Sequence, residues 1–238
     1  MTINMTGDNI AADNANWSFS GSVCTQFDQH INRSVPFYAE GHTLTLQLAD
    51  YFINHHSLIY DIGCSTGQLT QQLGEKAARK SGHVIGIDCE PDMTTIAQSS
   101  CQHHPNIHIE TANILDTKFE KTDLIVAYYT IQFIHPKHRQ TIMNQLYTAL
   151  NWGGGLIVFE KVRGADARFQ DILTGIYHDY KLENGYTPDE IMNKSRSLKG
   201  ILEPFSTQGN IDLLKRAGFS DITTIFKYAC FEGFLAIK

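Results

Sequence analysis

Apolar residues at Phe19, Val23, Phe27 and Ile31 recur every fourth position within residues 17–33. This is the spacing of one helical face, so a helix is predicted there, ended by Pro36. Leu44, Leu48 and Phe52 predict a second helix over 42–53. The period then changes. Residues 57–61 are a short apolar run stopping at a glycine-rich turn, the pattern of a buried parallel strand. Downstream, helices are predicted over 66–80, 91–101 and 136–150. Strands are predicted over 83–88, 107–110 and 122–129, with a fifth over 153–160 entered through a glycine turn. Strands alternating with helices of this length imply right-handed crossovers and a parallel sheet. After a helix closed by Lys215-Arg-Ala-Gly-Phe219, two β-rich runs at 221–228 and 229–237 predict an antiparallel hairpin. The pattern adds up to an α/β fold, a mostly parallel seven-stranded sheet finished by a C-terminal antiparallel hairpin.

Two segments fall outside that alternation. Residues 1–15 are polar and small and are expected to form a flexible tail, leaving 16–238 as one domain. Residues 162–206 are too long for a connection. They carry Phe169, Ile172, Leu173, Ile176 and Tyr180 at helical spacing, then a second helical pattern over 188–202. This insertion reads as a helical cover over the strand ends, where an acceptor substrate would sit.

Composition narrows the function. Hydrophobic content of 42% and charged content of 18% are those of a globular chain. No apolar run approaches the roughly 18 residues a membrane span needs. The first residues lack the basic-then-apolar pattern of a secretory signal. Five cysteines, at 24, 64, 89, 101 and 230, form no C-x-x-C pair and leave one over, so reduced thiols and a cytoplasmic location are expected. The net charge is −6 and no basic block exists, which argues against a nucleic-acid substrate and for a small molecule.

The chemistry centres on Asp61-Ile-Gly-Cys-Ser-Thr-Gly67, the turn after the first strand. Open α/β sheets bind ligands at the carboxyl ends of their strands, and Gly63 and Gly67 let the backbone approach one. A dinucleotide site would need G-x-G-x-x-G with free N–H groups facing a pyrophosphate. Here the spacing is G-x-x-x-G, and Asp61 stands two residues before the first glycine. A carboxylate there repels a pyrophosphate and suits the cationic amino-acid end of S-adenosylmethionine. Asp88 ends the second strand, where an acid can accept both hydroxyls of a ribose. Asn113 and Ile114, after the third strand, are placed to meet the adenine, although a loop Asn also serves turn chemistry. Histidines 103, 104 and 108 have near-metal spacing, but Pro105 breaks any helix that would align them, so no metal is expected. His178-Asp179-Tyr180 is a candidate acid–base cluster.

Several segments together resemble one family. Asn32-Arg-Ser-Val-Pro-Phe-Tyr38, Tyr60-Asp-Ile-Gly-Cys-Ser65, Thr130-Ile-Gln-Phe133, Phe159-Glu-Lys161, His178-Asp-Tyr-Lys181, Glu183-Asn-Gly-Tyr186 and Leu214-Lys-Arg-Ala-Gly-Phe219 are similar to the carboxy-S-adenosylmethionine synthases. The resemblance implies a Rossmann-like class I methyltransferase fold. It implies cofactor contacts at Tyr38, Gly63, Cys64, Ser65, Asp88, Cys89, Asn113 and Ile114, a homodimer, and a carboxyl group derived from prephenate. Three positions depart from the family: Asn113 stands for its Asp, Tyr128 for its Asn near the sulfonium, and Ser195 for its carboxylate-binding Arg, with Arg196 one residue on. Because the departures fall where carboxyl specificity would be decided, the leading expectation is methyl transfer from S-adenosylmethionine to a small acceptor. Carboxy-S-adenosylmethionine synthesis is the alternative, with Arg196 holding the new carboxylate. A non-catalytic cofactor-binding protein is a third reading. Arg196, Tyr128 and His178 are the candidates for a catalytic role.

Overall fold

The computed structural model describes residues 4–238. Two helices, α1 (Ser22–Ser34) and α2 (Tyr38–Ala49), precede the sheet. The parallel part runs β1 (Leu58–Ile62), α3 (Gln68–Ala78), β2 (His83–Asp88), α4 (Pro91–Cys101), β3 (Ile107–Thr111), β4 (Thr122–Tyr128), α5 (Pro136–Ala149) and β5 (Leu150–Lys161). Two helices of the insertion, α6 (Ala167–Glu183) and α7 (Pro188–Ser197), follow. The chain ends with α8 (Thr207–Ala217), β6 (Asp221–Tyr228) and β7 (Phe231–Ile237). The sheet order is β3-β2-β1-β4-β5-β7-β6. Strands β1 to β5 pair in parallel, and β7 lies antiparallel to both β5 and β6. This is the expected seven-stranded architecture. Its order reverses between β1 and β4, which puts a crevice at their carboxyl ends.

The strands read as continuous apolar runs because both faces of the sheet are covered. Ile59, Leu124, Val126, Ile157 and Phe159 face a core built with Leu69, Leu73 and Phe52 from the α2–α3 side. Their alternates Ile62, Ile125, Ala127, Leu156 and Val158 face a second core with Leu146 of α5 and Leu213 of α8. Local signals place the cover helices. Asp166 caps α6 by accepting from the Phe169 N–H, and Thr187 and Glu190 close a capping box on α7.

Two expectations change. The fifth strand starts at Leu150, upstream of the glycine turn, because residues 150–154 continue past an irregularity in the β4 register. The N-terminal segment, expected as a loose tail over 1–15, is packed from residue 4 onward, residues 1–3 lying outside the described residues. Ile10 is buried against Trp17 and Val23. Asp8 ion-pairs with Arg33 and accepts from the Tyr186 hydroxyl at 2.6 Å. A polar sequence looks tail-like when its partners lie far along the chain.

Gly41 shows how tightly α2 sits on the sheet. A Cβ there would lie 2.0 Å from the Tyr128 hydroxyl, which itself donates to the Tyr38 carbonyl at 2.7 Å. Alanine at this helical position would ordinarily gain up to about 1 kcal/mol. Gly41→Ala should instead destabilise by about 1–3 kcal/mol through overpacking. Adding Tyr128→Phe should recover most of that loss in urea unfolding. A neutral single variant would mean that α2 has room to shift.

Candidate functional site

The loop after β1 is held by the end of β2. The Ile87 carbonyl accepts from the Gly63 N–H at 2.7 Å and the Cys64 N–H at 3.0 Å, and Asp88 accepts from the Ser65 N–H at 2.9 Å. The Gly67 N–H donates to the Cys64 carbonyl at 2.9 Å. These four amides are therefore spent within the protein. Gly63 has φ +72°, and a Cβ there would meet Thr130 Oγ1 at 2.2 Å. Thr130 is itself fixed by donating to the Ile62 carbonyl at 2.9 Å. Ser65 takes a left-handed conformation, φ 51°, which turns the loop towards β2.

A cavity of about 880 Å³ opens at these strand ends, within the size range of small-molecule sites. Of the residues singled out from sequence, Tyr38, Gly63, Ser65, Asp88, Cys89, Asn113, Ile114, Tyr128 and His178 border it together. Asp88 also accepts from the Glu90 N–H at 3.0 Å, so two amides hold the carboxylate of this cavity-lining residue. Burial raises its pKa against those hydrogen bonds. Asn113 spends its side-chain oxygen on the Leu115 N–H at 2.9 Å, which is the turn role foreseen for it. Tyr128 presents its ring to the cavity within a cluster of Tyr38, His42, Tyr129 and Phe159. Burial drives His42 down to about 4, so its ring is neutral there.

Three of the expected cofactor contacts and one catalytic candidate lie elsewhere. Asp61 is sealed beneath the loop, accepting from Thr70 Oγ1 at 2.5 Å, and burial lifts it to about 6. Cys64 packs against Ala97, Cys101 and Ile109. Gly67 faces α4, where a Cβ would meet Ala97 at 3.1 Å. Arg196 does not border the cavity and is exposed; α7 turns Ile191, Lys194, Ser195 and Leu198 inward instead. The helical period, with Lys194 and Ser195 on the inner face, carries Arg196 outward. Of the acid–base cluster, His178 borders the cavity but Asp179 is exposed away from it.

The sequence foretold a cover but not the residues that line the cavity from it. Trp17 and Phe19 from the N-terminal segment, Lys161 from β5, Tyr177 and Lys181 from α6, and Lys194 from α7 all contribute to the wall. The four-residue step from Tyr177 to Lys181 was the available signal.

Residues 59–154 match the family model described as Methyltransferase domain. The carboxy-S-adenosyl-L-methionine synthase of Staphylococcus epidermidis is 37% identical over 223 residues, 93% of this chain and 97% of that protein. The synthase of Campylobacter jejuni is 37% identical over 93% of this chain and 94% of its own length. Among solved structures, human N-acetylserotonin methyltransferase in complex with SAM superposes with TM-score 0.64 at 17% identity, covering 92% of this chain and 56% of that one. A SAM-dependent methyltransferase from Methanosarcina mazei gives TM-score 0.60 at 16% identity, over 80% of this chain and 96% of its own. The structural likenesses establish the class I methyltransferase fold.

Glu160, next to the wall residue Lys161, is fully buried with Oε1 unpartnered. Burial pushes it up to about 8, opposed by the Arg139 charge and by the Ile131 and Gln132 amides. The folded protein thus keeps a proton that the unfolded chain releases near 4.5. The resulting stability is present below that pH and is lost as pH rises towards 8. Glu160→Gln should therefore gain on wild type between pH 5 and pH 8, by on the order of 2–4 kcal/mol in denaturant unfolding. A difference independent of pH would mean that Glu160 is ionised in the fold.

Proposed function

The chain belongs to the carboxy-S-adenosyl-L-methionine synthase family, and on that premise we propose that its cavity binds S-adenosylmethionine for carboxy-S-adenosylmethionine synthesis. The observation that carries the cofactor assignment is Asp88, held by two amides at the mouth of a loop whose own N–H groups are spent. Such a site offers acceptors to a ribose. Tyr38, Gly63, Ser65, Cys89, Asn113, Ile114 and Tyr128 complete the contact set, while Cys64 and Gly67 shape the loop from behind. Asp61 acts from beneath it, its charge felt through the loop rather than by contact.

S-adenosylmethionine, when bound, would supply a sulfonium that acidifies its methyl C–H bonds, as carboxylation needs, and makes the same carbon electrophilic, as methyl transfer needs. The protein's share is positioning and exclusion of water. Asp88 orients one end, the ring faces of Tyr38 and Tyr128 border the other, and α6 and α7 over residues 162–206 cover the chamber as part of one cofactor-binding unit. The likeness to synthases runs over 93% of the chain, cover included, which favours the carboxylated product. One feature favours methyl transfer to a small acceptor as the second reading: the Tyr128 ring takes space beside the expected sulfonium position, and Ser195 offers no charge.

Assembly as a homodimer is part of the proposal. Phe169, Ile172 and Ile176 stand exposed on one face of α6, while Leu173 and Tyr177 pack inward. An apolar helix face of this kind is a self-association surface.

Calorimetry should find S-adenosylmethionine binding abolished in Gly63→Arg and weakened by about 1.5–3 kcal/mol in Asp88→Ala. Undiminished binding in both would end the cofactor assignment. Wild-type protein given prephenate and S-adenosylmethionine should yield the carboxylated cofactor by mass spectrometry; unchanged S-adenosylmethionine there, with a methylated small acceptor from extracts, would select the second reading. Sedimentation equilibrium should give a dimer that Ile172→Asp with Ile176→Asp converts to monomer. A monomeric wild type would remove the dimer.

A further inference from the structure

His30 stands in the cavity wall with one ring nitrogen engaged and the other open. Its Nδ1 lies 2.7 Å from Asp8 Oδ2, and Asp8 itself is behind the wall. Among the described residues, Nε2 has no hydrogen-bond partner, yet it is not sealed from solvent. The residue as a whole is buried and borders the cavity, so the space that reaches Nε2 is the cavity. A histidine kept only for packing would have both nitrogens satisfied.

The backbone is shaped to bring Asp8 to this ring. Gly7, Asp8 and Asn9 follow one another in the left-handed region, at φ 96°, 52° and 58°. Such backbone is costly away from glycine and persists where its surroundings over-determine it. The turn is pressed on Tyr186, whose Cε1 would lie 2.2 Å from a Cβ at position 7. It delivers the carboxylate to the Tyr186 hydroxyl at 2.6 Å, to Arg33 and to His30 Nδ1. Burial acts to raise Asp8, and the Tyr186 and His30 hydrogen bonds outweigh it. An ionised carboxylate only accepts, so Nδ1 carries the ring's proton and Nε2 its lone pair. Burial, and then Lys194, lower His30 to about 4, so the ring stays neutral at neutral pH.

We propose that His30 is a specificity-determining residue of the cavity, its Nε2 fixed as an acceptor by Asp8 and taking a hydrogen bond from a hydroxyl of the second substrate. Asp8 is the positioning residue behind it. Trp17 stacks on the ring at 5.8 Å and 26°, and Tyr186 stands edge-on to it at 6.1 Å, so the imidazole keeps one orientation. A neutral acceptor of fixed direction selects a group with one hydrogen to give, which a hydroxyl has. An ammonium would need an anionic partner, and the carboxylate acting on His30, Asp8, is already spent on three donors. A ligand without the hydroxyl would desolvate Nε2 and leave it unpaired, which is how a polar site rejects an analogue. The assignment deepens the proposed function by naming a group the co-substrate carries, and it rests on that reading for the cofactor's place in the same cavity.

The test is nitrogen NMR on the full chain with isotope-labelled histidine, at neutral pH, alone and with S-adenosylmethionine. Wild type should show His30 as the Nδ1–H tautomer, and benzyl alcohol should move its Nε2 signal upfield where ethylbenzene, with a methyl in place of the hydroxyl, does not. Benzyl alcohol should bind at least fivefold more tightly than ethylbenzene, and His30→Leu should erase that preference. Asp8→Asn should bring in the Nε2–H tautomer and weaken the alcohol's effect on the signal, a change that a merely structural Asp8 would not cause. The wild-type readings decide the matter even where a variant fails to fold. An Nε2–H tautomer in wild type would overturn the proposal, as would equal binding of benzyl alcohol and ethylbenzene or tighter binding of benzylamine. Wild-type protein that fails to bind S-adenosylmethionine yet keeps the alcohol preference would sink the cofactor reading and leave the His30 assignment standing.

Discussion

The structure depends on one clamp, the hold that the end of β2 keeps on the loop after β1. Ile87 accepts two successive amides of that loop with its single carbonyl, and Asp88 accepts the third. The clamp draws the loop across the sheet at its switch point and makes glycine obligatory at 63, where Thr130 leaves no room for a Cβ. It also fixes what the site can recognise. Amides that bind β2 cannot bind phosphate, so Asp88 becomes the group that the strand ends present. A loop with the same glycines and free amides would suit a different cofactor.

Around that clamp the cavity is lined by ionisable groups from both the sheet and the cover. Asp88 borders the cavity near the glycine loop, with Asp61 buried below it at a pKa near 6, while three lysines of the cover side rest on ring faces. Low-dielectric walls strengthen both fields. The net charge of −6 says nothing of this arrangement, because it sums over surface groups that the cavity does not see.

The sheet was legible in the sequence because its signals are local. A buried parallel strand is a run of apolar residues, and a proline-started helix follows it; β2, α4 and the C-terminal hairpin needed nothing more. The placement of Asp88 and Gly63 at the cavity was legible because it follows from position after a strand. Arg196 misled because one residue is a turn of about 100° on a helix, and α7 spends that turn placing Lys194 inward. The lysines were illegible one by one. Each resembles a solvated surface cation, and only packing on Tyr177 and Trp17 sets them apart.

The N-terminal segment was misread for a related reason, and it explains how the cover is held. Few contacts tie α6 and α7 to the sheet. Arg33 donates to the Asn184 carbonyl at 2.8 Å, the Tyr177 hydroxyl to Ser34 at 2.8 Å, and Tyr186 to Asp8. The backbone amides of Ala15 and Trp17 bond to Arg196 and Ser197 of α7, and Asn193 reaches Met5. The polar residues that look like a tail are therefore the backing of the insertion, joined across some 180 positions. Periodicity cannot report such pairing, since hydrogen bonds to main chain leave no hydrophobic rhythm. The consequence is structural economy at the cavity: Trp17, carried by this segment, backs Lys194, so the segment that anchors the cover also forms part of its charged wall.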